Sequence, residues 1–332
     1  MSEPVARPAR PSVSVMIAAH QAEATVERAV RSAQAQSGVD LEVLVVDDGS
    51  RDRTASLVAA LAERDDRIRL IRAPVNGGPA RARNLALERA RGHWIAVLDA
   101  DDAFRAGRLR ALLRIARASG ASMVADNLRL VDPAGVIIGT AMASGDRALW
   151  SWVSAETFVR RNQFNGKGFR LGYLKPMVAR RTLVEGGIRY REDLRIAEDY
   201  QLCLDAFLAG GTMALTPAPL YDYTQTPGST SRALRQDDVE RLQAANAAAL
   251  RQTSDRALIE ALRERSADLE ATLAHMRFVE HLKARRPLRA VGALTRHPAA
   301  LPVALRCGRG SVIKRLRRLV PPFATADRVP VD

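Results

Sequence analysis

With 332 residues, 47% of them hydrophobic, the chain is long enough for one large domain with a real core, or for one domain with a smaller addition. Its two cysteines exclude a disulfide framework and fit a reducing compartment. No stretch approaches the roughly 18 apolar residues that a membrane span needs, and the N-terminus lacks the apolar segment of a signal peptide. We therefore expect a cytoplasmic protein.

Short apolar segments alternate with segments of helical spacing up to about residue 132. Strands are predicted at 12–19, 41–50, 68–73, 93–99 and 121–132, and helices at 23–36, 53–65, 76–92 and 106–120. Strands that alternate with helices indicate βα units, right-handed crossovers and a mostly parallel sheet. Because the strands are apolar, we expect both faces of this sheet to be covered.

The chain between residues 133 and 230 is irregular and richer in glycine, aromatic and polar residues. A helix is predicted from about Glu198, and the segment 212–231 is predicted to form two short strands divided by prolines. Residues 232–284 have a helical pattern that contains no proline or glycine.

The net charge of +14 is concentrated near the C-terminal end, where residues 281–320 contain eleven lysines or arginines and no acidic residue. Nucleic acid, an anionic membrane surface or a phosphate-bearing ligand would each explain such a segment. Within it, SVIKRLRRLV (311–320) places apolar residues near one helical face and cations on the other, which is typical of a short interfacial helix. A solvated charge run or a partner-binding arm is the alternative.

Polar residues follow three of the predicted strands at the point where each ends. AAH (18–20) comes after the first strand, DDGS (47–50) after the second and DADD (99–102) after the fourth. In sheets of this kind, ligands bind outside the carboxyl ends of the strands. The three strand ends therefore predict one crevice that carries the chemistry.

The acidic stretch after the fourth strand needs a partner for its charge. Two carboxylates about 4 Å apart repel each other by about 4 kcal/mol at an effective dielectric of about 20. Asp99 and Asp101 are two residues apart and point to the same side of an extended chain. Their hard oxygens suit Mg²⁺ or Mn²⁺, which also bind the phosphate oxygens of a nucleoside diphosphate. The alternative is a turn whose aspartates bond to nearby backbone and cap a helix.

Two further acidic pairs are candidates for a functional role. Asp47 and Asp48 can accept hydrogen bonds from a uracil N–H or from ribose hydroxyls, or they cap the following helix. Glu198 and Asp199 precede an apolar helix, where adjacent carboxylates can titrate as a pair. The alternative for this second pair is that its charge complements the helix dipole.

Four motifs occur in order along the chain: VDDGSRDRT (46–54), NGGPARARN (76–84), LDADD (98–102) and AEDY (197–200). With them, the chain resembles the family 2 glycosyltransferases of the GT-A fold over about residues 12–230. The stretch LGYLKPM (171–177) is also similar to enzymes that extend lipid-linked repeat units of bacterial exopolysaccharides of the succinoglycan type.

The resemblance implies roles for the motif residues. Nucleotide-sugar binding is implied for nine of them: Ala18, His20, Glu23, Asp47, Asp48, Arg83, Asp99, Ala100 and Asp101. Asp101 is the implied direct ligand of the metal, and Asp99 is its partner toward the ribose or a metal-bound water. Asp199 is the implied base that takes the proton from the acceptor hydroxyl, with Glu198 in support.

The resemblance also implies an activity. We expect a metal-dependent (Mg²⁺ or Mn²⁺) inverting transferase that moves a hexose, glucose first, from a nucleoside diphosphate sugar, UDP first, to a saccharide acceptor. The acceptor is expected to be lipid-linked, in exopolysaccharide or envelope-glycan synthesis, with the protein peripheral on the inner face of the cell membrane. No nucleic acid is expected as a partner. The alternatives are a Mg²⁺-dependent nucleotidyl- or phosphotransferase and a nucleic-acid-binding protein that uses the basic tail.

The expected fold is α/β, with a Rossmann-like, mostly parallel sheet flanked by helices and a helical C-terminal extension. The predicted division of the chain is a flexible N-terminus (1–11), a catalytic domain (12–231) with a nucleotide-sugar part (12–132) and an acceptor part (133–231), a helical extension (232–286) and a basic tail (287–332).

Overall fold

The structure is a computed structural model that describes residues 11–142, 149–166, 168–225 and 234–295. The chain divides into two compact units, Met1–Arg265 and Ser266–Asp332. Across the described ranges, no helix combines the length and the apolar character that crossing a membrane requires. The predicted interfacial helix at 311–320 lies outside the described residues.

Up to residue 132 the elements follow the predicted order, with one unpredicted strand of two residues at Ala103–Phe104, and the segment predicted to be irregular (133–230) contains further short strands and helices. The strands are β1 (Val13–Ala19), β2 (Leu41–Asp48), β3 (Ile68–Ala73), β4 (Trp94–Val97), β5 (Ala103–Phe104), β6 (Met123–Val131), β7 (Ile137–Thr140), β8 (Ser151–Val153), β9 (Met177–Ala179) and β10 (Met213–Thr224). The helices are α1 (Val26–Gln34), α2 (Thr54–Ala62), α3 (Pro79–Arg89), α4 (Arg108–Ser119), α5 (Ala155–Arg160), α6 (Arg180–Glu185), α7 (Glu198–Leu208), α8 (Gln236–Leu250), α9 (Arg256–Lys283) and α10 (Pro287–Thr295).

The strands pair into one sheet in the order β3-β2-β1-β4-β9-β6-β10-β5, with β7 on β6 and β8 on β10. The long pairings are parallel: β2 with β3, β1 with β2 and β4, and β6 with β10. The three residues of β9 run antiparallel between β4 and β6. The predicted mostly parallel sheet is therefore confirmed, and its register sets Ala19 beside Asp47 where β1 and β2 end.

Helix α1 shows why the predicted helices form. Its buried residues are Val26, Ala29, Val30 and Ala33, the positions that share one face of a helix. An apolar stripe of this kind packs against the sheet and leaves the charged residues in solvent.

The prediction of two short strands within 212–231 is wrong, because β10 is one strand of 12 residues. Its pairing with β6 shifts register on both sides of Pro219, and Pro217 falls within the first shift. On the other edge of β10, the pairings with β8 and β5 end before and begin after the two prolines. Proline has no N–H to donate, so the strand places both prolines where the ladder is interrupted.

The helical segment predicted at 232–284 is interrupted once. Helix α8 ends at Leu250, and α9 begins at Arg256. The Asp255 carboxylate accepts hydrogen bonds from the backbone N–H groups of Ala257 (2.8 Å) and Leu258 (3.2 Å). Asp255 therefore caps α9, which explains a break that involves neither proline nor glycine.

A buried ion pair lies in the core below the carboxyl ends of the strands. Arg108 of α4 donates to Asp126 of β6 at 2.9 and 2.6 Å, and both side chains are fully buried. The guanidinium group also lies over the rings of Phe104 and Tyr221, at 4.5 and 5.1 Å from their centroids. It also donates to the backbone carbonyl of Lys175 at 2.6 Å, so the pair supports the loop before β9.

The described part of the second unit contains residues 266–283 of α9 and helix α10. Ala290 of α10 is buried, whereas Leu288 and Val291 are exposed. Arg286 and Arg289 beside them are exposed as well.

Candidate active site

Two cavities lie at the carboxyl ends of the parallel strands. The first, the β2 cavity, has a volume of about 740 Å³ and is lined by Asp47 and Arg72 among others. The second, the central cavity, has a volume of about 520 Å³. His20 and Gln21 line both, so the two cavities adjoin. The central cavity brings together seven further predicted site residues: Ala18, Arg83, Asp99, Ala100, Asp101, Glu198 and Asp199.

The two aspartates at the end of β2 have different surroundings. Asp48 is buried, and its carboxylate accepts hydrogen bonds from the backbone N–H groups of Gly77 (2.9 Å) and Gly78 (2.8 Å). Asp48 therefore holds the turn that leads into α3. Asp47 is also buried, but it lines the β2 cavity, where it accepts a hydrogen bond from the backbone N–H of Ser50 at 3.3 Å. Of the pair, Asp47 is the one placed to meet a ligand.

His20 and Glu23 follow β1 and differ in position. His20 Nδ1 donates to the backbone carbonyl of Asp48 at 2.9 Å, which fixes the ring where it lines both cavities. Glu23 lines neither cavity, and its carboxylate accepts a hydrogen bond from the backbone N–H of Arg53 at 3.1 Å. This bond ties the start of α1 to the start of α2, and a contact between Glu23 and a nucleotide stays a prediction.

Arg83 and Lys175 are two buried cations in the central cavity. Arg83 donates to Asp99 at 2.7 Å and to Glu198 at 2.6 Å. Lys175 Nζ lies 2.8 Å from Asp99 and 2.5 Å from Asp199. Burial alone would lower the pKa of each cation, but the surrounding carboxylates raise both pKa values well above their usual range. The two cations therefore stay charged and connect the turn after β4 to the start of α7.

Asp99 and Asp101 differ in how their charge is compensated. Burial would raise the pKa of Asp99, but Lys175 and Arg83 lower it, and each of its two oxygens is bonded to one of these cations. Asp101 forms no ion pair with a described residue, and burial together with the charge of Asp99 raises its pKa. Two cations therefore pair directly with Asp99, whereas the Asp101 carboxylate has no cation in contact with it among the described residues.

The third aspartate of the motif, Asp102, anchors the turn. Its carboxylate accepts hydrogen bonds from the Tyr221 hydroxyl (2.8 Å) and from the backbone N–H of Thr224 (2.7 Å), both on β10. The Tyr221 hydroxyl accepts a hydrogen bond in turn from the backbone N–H of Asp99 at 3.1 Å. Arg28 of α1 donates to the Thr224 hydroxyl and to a backbone carbonyl of the same turn. The turn is thus fixed from both α1 and β10.

Glu198 and Asp199 open helix α7, as the sequence predicts. Ala197, which precedes them, has a left-handed backbone with φ of +60°. Both acidic residues line the central cavity, where Arg83 and Lys175 hold their carboxylates. Burial and the charge of Asp199 raise the pKa of Glu198. A complement to the helix dipole alone would not require two buried cations.

The carboxylates of the central cavity can supply part of a metal site. In the described ranges, no three histidine, cysteine, aspartate or glutamate side chains gather closely enough to hold a metal by themselves. An uncompensated carboxylate such as Asp101 suits Mg²⁺ or Mn²⁺ when phosphate oxygens of a substrate complete the coordination. Asp99 suits an indirect role, because both its oxygens already accept from cations.

The sequence pattern does not identify Tyr221 as a member of this site, and it marks Lys175 only as a cation of the acceptor region, not as a partner of the acidic residues. Lys175 is far in sequence from Asp99 and Asp199, so no local spacing connects the three. The sequence does contain one indication for Tyr221. Tyr221 and Tyr223 are two residues apart on β10, so their side chains lie on the same face of the sheet.

Two curated proteins are similar in sequence to this chain over most of its length. The profile of the family described as Glycosyl transferase family 2 matches residues 14–182. The succinoglycan biosynthesis protein ExoO of Rhizobium meliloti (strain 1021) is 38% identical over 314 residues, 94% of this chain and 88% of that protein. The succinoglycan biosynthesis protein ExoU of the same organism is 35% identical, over 88% of this chain and 85% of that protein.

Two solved structures show the same architecture at low sequence identity. S. aureus TarS 1-349 in complex with UDP-GlcNAc has a TM-score of 0.63 and 16% identity, over 85% of this chain and 90% of that one. The mannosyltransferase PcManGT from Pyrobaculum calidifontis, in complex with GDP-Man and Mn²⁺, has a TM-score of 0.56 and 20% identity, over 92% and 81%. The sequence matches and this shared GT-A architecture lead to one assignment. The chain belongs to glycosyl transferase family 2 and is a glycosyltransferase with the GT-A fold.

Proposed function

We propose that this glycosyltransferase moves a hexose from a UDP-sugar to a saccharide acceptor, with inversion at C1 and with the help of a divalent metal. Glucose is the first hexose to test. The observation that carries the proposal is the contrast between Asp99 and Asp101. Two cations pair directly with Asp99, and Asp101 has no ion pair with a described residue in a cavity that adjoins the β2 cavity. A nucleoside diphosphate with its cation matches both cavities at once.

The β2 cavity is the proposed pocket for the nucleoside. The buried Asp47 carboxylate can accept a hydrogen bond from a uracil N–H or a ribose hydroxyl. His20 stands where the nucleoside would continue into the diphosphate, since its ring lines both cavities. Solved complexes of TarS with UDP-GlcNAc and with UDP support UDP as the first nucleotide to test.

Asp101 is the proposed protein ligand of Mg²⁺ or Mn²⁺. When bound, such an ion would stabilise the negative charge of the leaving diphosphate. Asp99 would act toward the ribose or a metal-bound water, in an orientation fixed by Arg83 and Lys175. The Mn²⁺ in the complex of the mannosyltransferase PcManGT supports the choice of metals.

Asp199 is the proposed base. The acceptor hydroxyl oxygen bonds to C1 from the side opposite the diphosphate, the bond from C1 to the diphosphate oxygen breaks, and the hydroxyl proton passes to Asp199. The nucleoside diphosphate leaves with the electron pair of the broken bond. Lys175 orients the Asp199 carboxylate, and Glu198 supports it by holding Arg83.

A role in exopolysaccharide or related envelope-glycan synthesis is proposed from the relatives. Both matched proteins of R. meliloti are named for succinoglycan biosynthesis, and the alignments span most of each chain. We infer that the acceptor is a growing saccharide that is linked to a lipid.

With a lipid-linked acceptor, the second unit would bind an anionic membrane surface on the cytoplasmic side. Helix α10 exposes Leu288 and Val291, and Arg285, Arg286 and Arg289 are exposed near them. Apolar side chains flanked by cations are typical of segments that lie in the headgroup region of anionic lipids.

Calorimetric titration of UDP, with and without Mn²⁺, tests the donor assignment. Asp101→Asn is compared with the wild type and with Asp66→Asn, an exposed aspartate that lines neither cavity. We expect metal-dependent UDP binding in the wild type and in Asp66→Asn, and binding weaker by at least about tenfold in Asp101→Asn. UDP binding of equal strength with and without Mn²⁺ would contradict the role of Asp101 as a metal ligand. No UDP binding at all would contradict the assignment of a UDP-sugar as the donor.

A further inference from the structure

Part of the lining of the central cavity has no role in the mechanism above. Arg170 and Arg265 both line this cavity, and both guanidinium groups lie over the ring of Phe164, at 5.1 and 5.8 Å from its centroid. Arg170 also lies 4.9 Å from the ring of Tyr173, and Arg265 lies 4.1 Å from the ring of Tyr200. Two arginines thus share one aromatic cluster.

No carboxylate of the described ranges forms an ion pair with either arginine of this cluster. The other cations of the cavity are paired: Arg83 and Lys175 with the acids of the site, and Arg195 with Asp238. Neither Arg170 nor Arg265 forms an ion pair with any residue that the structure describes. Arg265 is only 2% exposed, and a buried guanidinium group without an anion is costly. Within the described part of the chain, the cavity therefore contains two neighbouring guanidinium groups that have no carboxylate partner.

The Tyr200 hydroxyl adds a third donor. Tyr200 is 3% exposed and lines the cavity, and its hydroxyl has no hydrogen-bond partner among the described residues. Its ring stacks on Phe158 with a centroid distance of 5.3 Å, so the ring is fixed. Burial raises the pKa of Tyr200, and the phenol therefore keeps the proton that it can donate.

The position of these donors is set by the surrounding backbone. Arg265 donates to the backbone carbonyl of Asn162 at 2.6 Å, and the Asn162 side chain accepts from the backbone N–H of Gly172 at 2.6 Å. A Cβ at Gly172 would lie 2.7 Å from Asn162 Oδ1 and 2.8 Å from Tyr200 Cβ, so only glycine fits there. Arg265 and Tyr200 are therefore held before a ligand arrives, and Arg170 is held by donating to the Tyr173 hydroxyl at 2.8 Å.

We propose that Arg170, Arg265 and Tyr200 bind an oxyanion of the acceptor, a phosphate or a sugar carboxylate, close to the hydroxyl that receives the hexose. Guanidinium groups and a phenol hydroxyl match the oxygens of either group. Tyr200 and Asp199 line the same cavity, so the anion would bind in the cavity that contains the proposed base. This inference rests on the proposed function and specifies its acceptor as a negatively charged saccharide.

The test uses the full chain saturated with UDP and Mn²⁺, so that the donor site is filled. Glucose 1-phosphate, glucuronate and glucose are titrated by ligand-observed NMR. We expect the two charged sugars to bind at least about tenfold more tightly than glucose. The tighter of the two identifies the source, a phosphate as in a lipid carrier or the carboxylate of an acidic sugar.

Two variants and a control connect the preference to the cluster. Arg170→Gln and Tyr200→Phe should each weaken binding of the charged sugars by about tenfold and leave glucose unchanged. Tyr200→Phe removes an oxygen without a described partner, so an unchanged melting temperature is expected and separates recognition from folding. Arg117→Gln, an exposed arginine of α4 outside both cavities, should change nothing.

Equal binding of the three sugars, or variants that bind the charged sugars as the wild type does, would overturn the inference. Competition between the charged sugars and UDP would overturn it as well, because the anion would then occupy the donor site. If UDP fails to bind, the proposed function fails first. If UDP binds and the charge preference is missing, the acceptor inference alone is wrong.

Discussion

The ammonium group of Lys175 lies 2.5 Å from the Asp199 carboxylate, so a buried positive charge sits directly on the proposed base. The same nitrogen lies 2.8 Å from Asp99. One side chain therefore orients the proposed base and offsets the first aspartate of the LDADD motif.

Replacing Lys175 with methionine is expected to reduce both stability and activity. Methionine fills much of the space but removes one of the two cations that Asp99 and Asp199 share, so that only Arg83 remains between them. Breaking a buried ion pair costs about 3–5 kcal/mol. Urea unfolding measures the first effect, and turnover of a UDP-sugar measures the second. The double variant with Asp199→Asn should regain part of the stability and remain inactive. A single variant as stable as the wild type would show that Lys175 is not needed for charge balance.

Asp199→Asn should lower kcat by about a hundredfold or more, because it keeps the shape of the side chain and removes the proton acceptor. Its affinity for UDP should stay near that of the wild type. Glu198→Gln serves as the neighbouring comparison and should lower kcat by less, about tenfold, through weaker positioning of Arg83. Steady-state kinetics with a UDP-sugar distinguishes the two. If Glu198→Gln proves more damaging, the base must be reassigned to Glu198.

The buried pair of Arg108 and Asp126 should affect the site as well as the core. Arg108→Met leaves a fully buried carboxylate unpaired, with an expected loss of about 3–5 kcal/mol in the free energy of unfolding. Adding Asp126→Leu should restore most of this loss. Since Arg108 also donates to the carbonyl of Lys175, the restored double variant should still turn over more slowly than the wild type. Turnover equal to that of the wild type would show that the pair of Arg108 and Asp126 contributes to stability alone.

Glu42 predicts how stability depends on pH. Its buried carboxylate accepts hydrogen bonds from Ser14 Oγ (2.6 Å) and from the backbone N–H (2.7 Å) and side chain (3.0 Å) of Arg91. Burial alone would raise the pKa of Glu42, but these bonds lower it below the usual 4.5. Its stabilising contribution is therefore present above pH 4.5 and is lost as the pH falls through the lowered pKa.

Urea unfolding of the wild type and Glu42→Gln checks this sign. The wild type should be more stable by about 1–3 kcal/mol at neutral pH, and the difference should shrink as the solution is acidified. A difference that is constant with pH would show that the carboxylate is not the group responsible.

Binding of the whole protein to lipid vesicles checks the role of α10. Vesicles that contain phosphatidylglycerol should bind the protein, and neutral vesicles or added salt should weaken binding. Leu288→Ser with Val291→Ser should reduce binding by about tenfold, because two exposed apolar side chains are lost. Leu149→Ser, an exposed leucine of the first unit, is the control. Equal binding to both kinds of vesicle would contradict an anionic surface as the partner.

The first four strands and the helices between them could be predicted because each is a local pattern. Apolar segments bounded by turns define β1 to β4, and helical spacing defines the helices between them. The short strand β9 could not be found in this way, since three residues carry no periodicity and its pairing with β4 and β6 is set by tertiary contacts. The prolines of β10 gave a misleading local signal, because a single strand can contain them where it lacks a partner. On one edge of β10, the pairing with β8 ends before the prolines and the pairing with β5 begins after them.

The same division holds for the candidate site. The acidic residues at the strand ends could be named from the sequence, since parallel strands bring their carboxyl ends together. Their separate surroundings could not: Asp48 bonds to the turn before α3, and Asp47 faces a cavity, although the two are adjacent in sequence. The position of Lys175 between Asp99 and Asp199 is likewise a product of the folded chain.

The left-handed backbone of Ala197 limits which residues that position can accept. For a residue with a Cβ, this backbone conformation is less favourable than the right-handed one by about 1–2 kcal/mol. A β-branched residue would be more crowded still. Glycine would relieve the strain but would also let the start of α7 swing more freely. Alanine is thus less strained here than a larger residue and less flexible than glycine. The orientation of the Glu198 and Asp199 carboxylates therefore depends on an uncharged side chain.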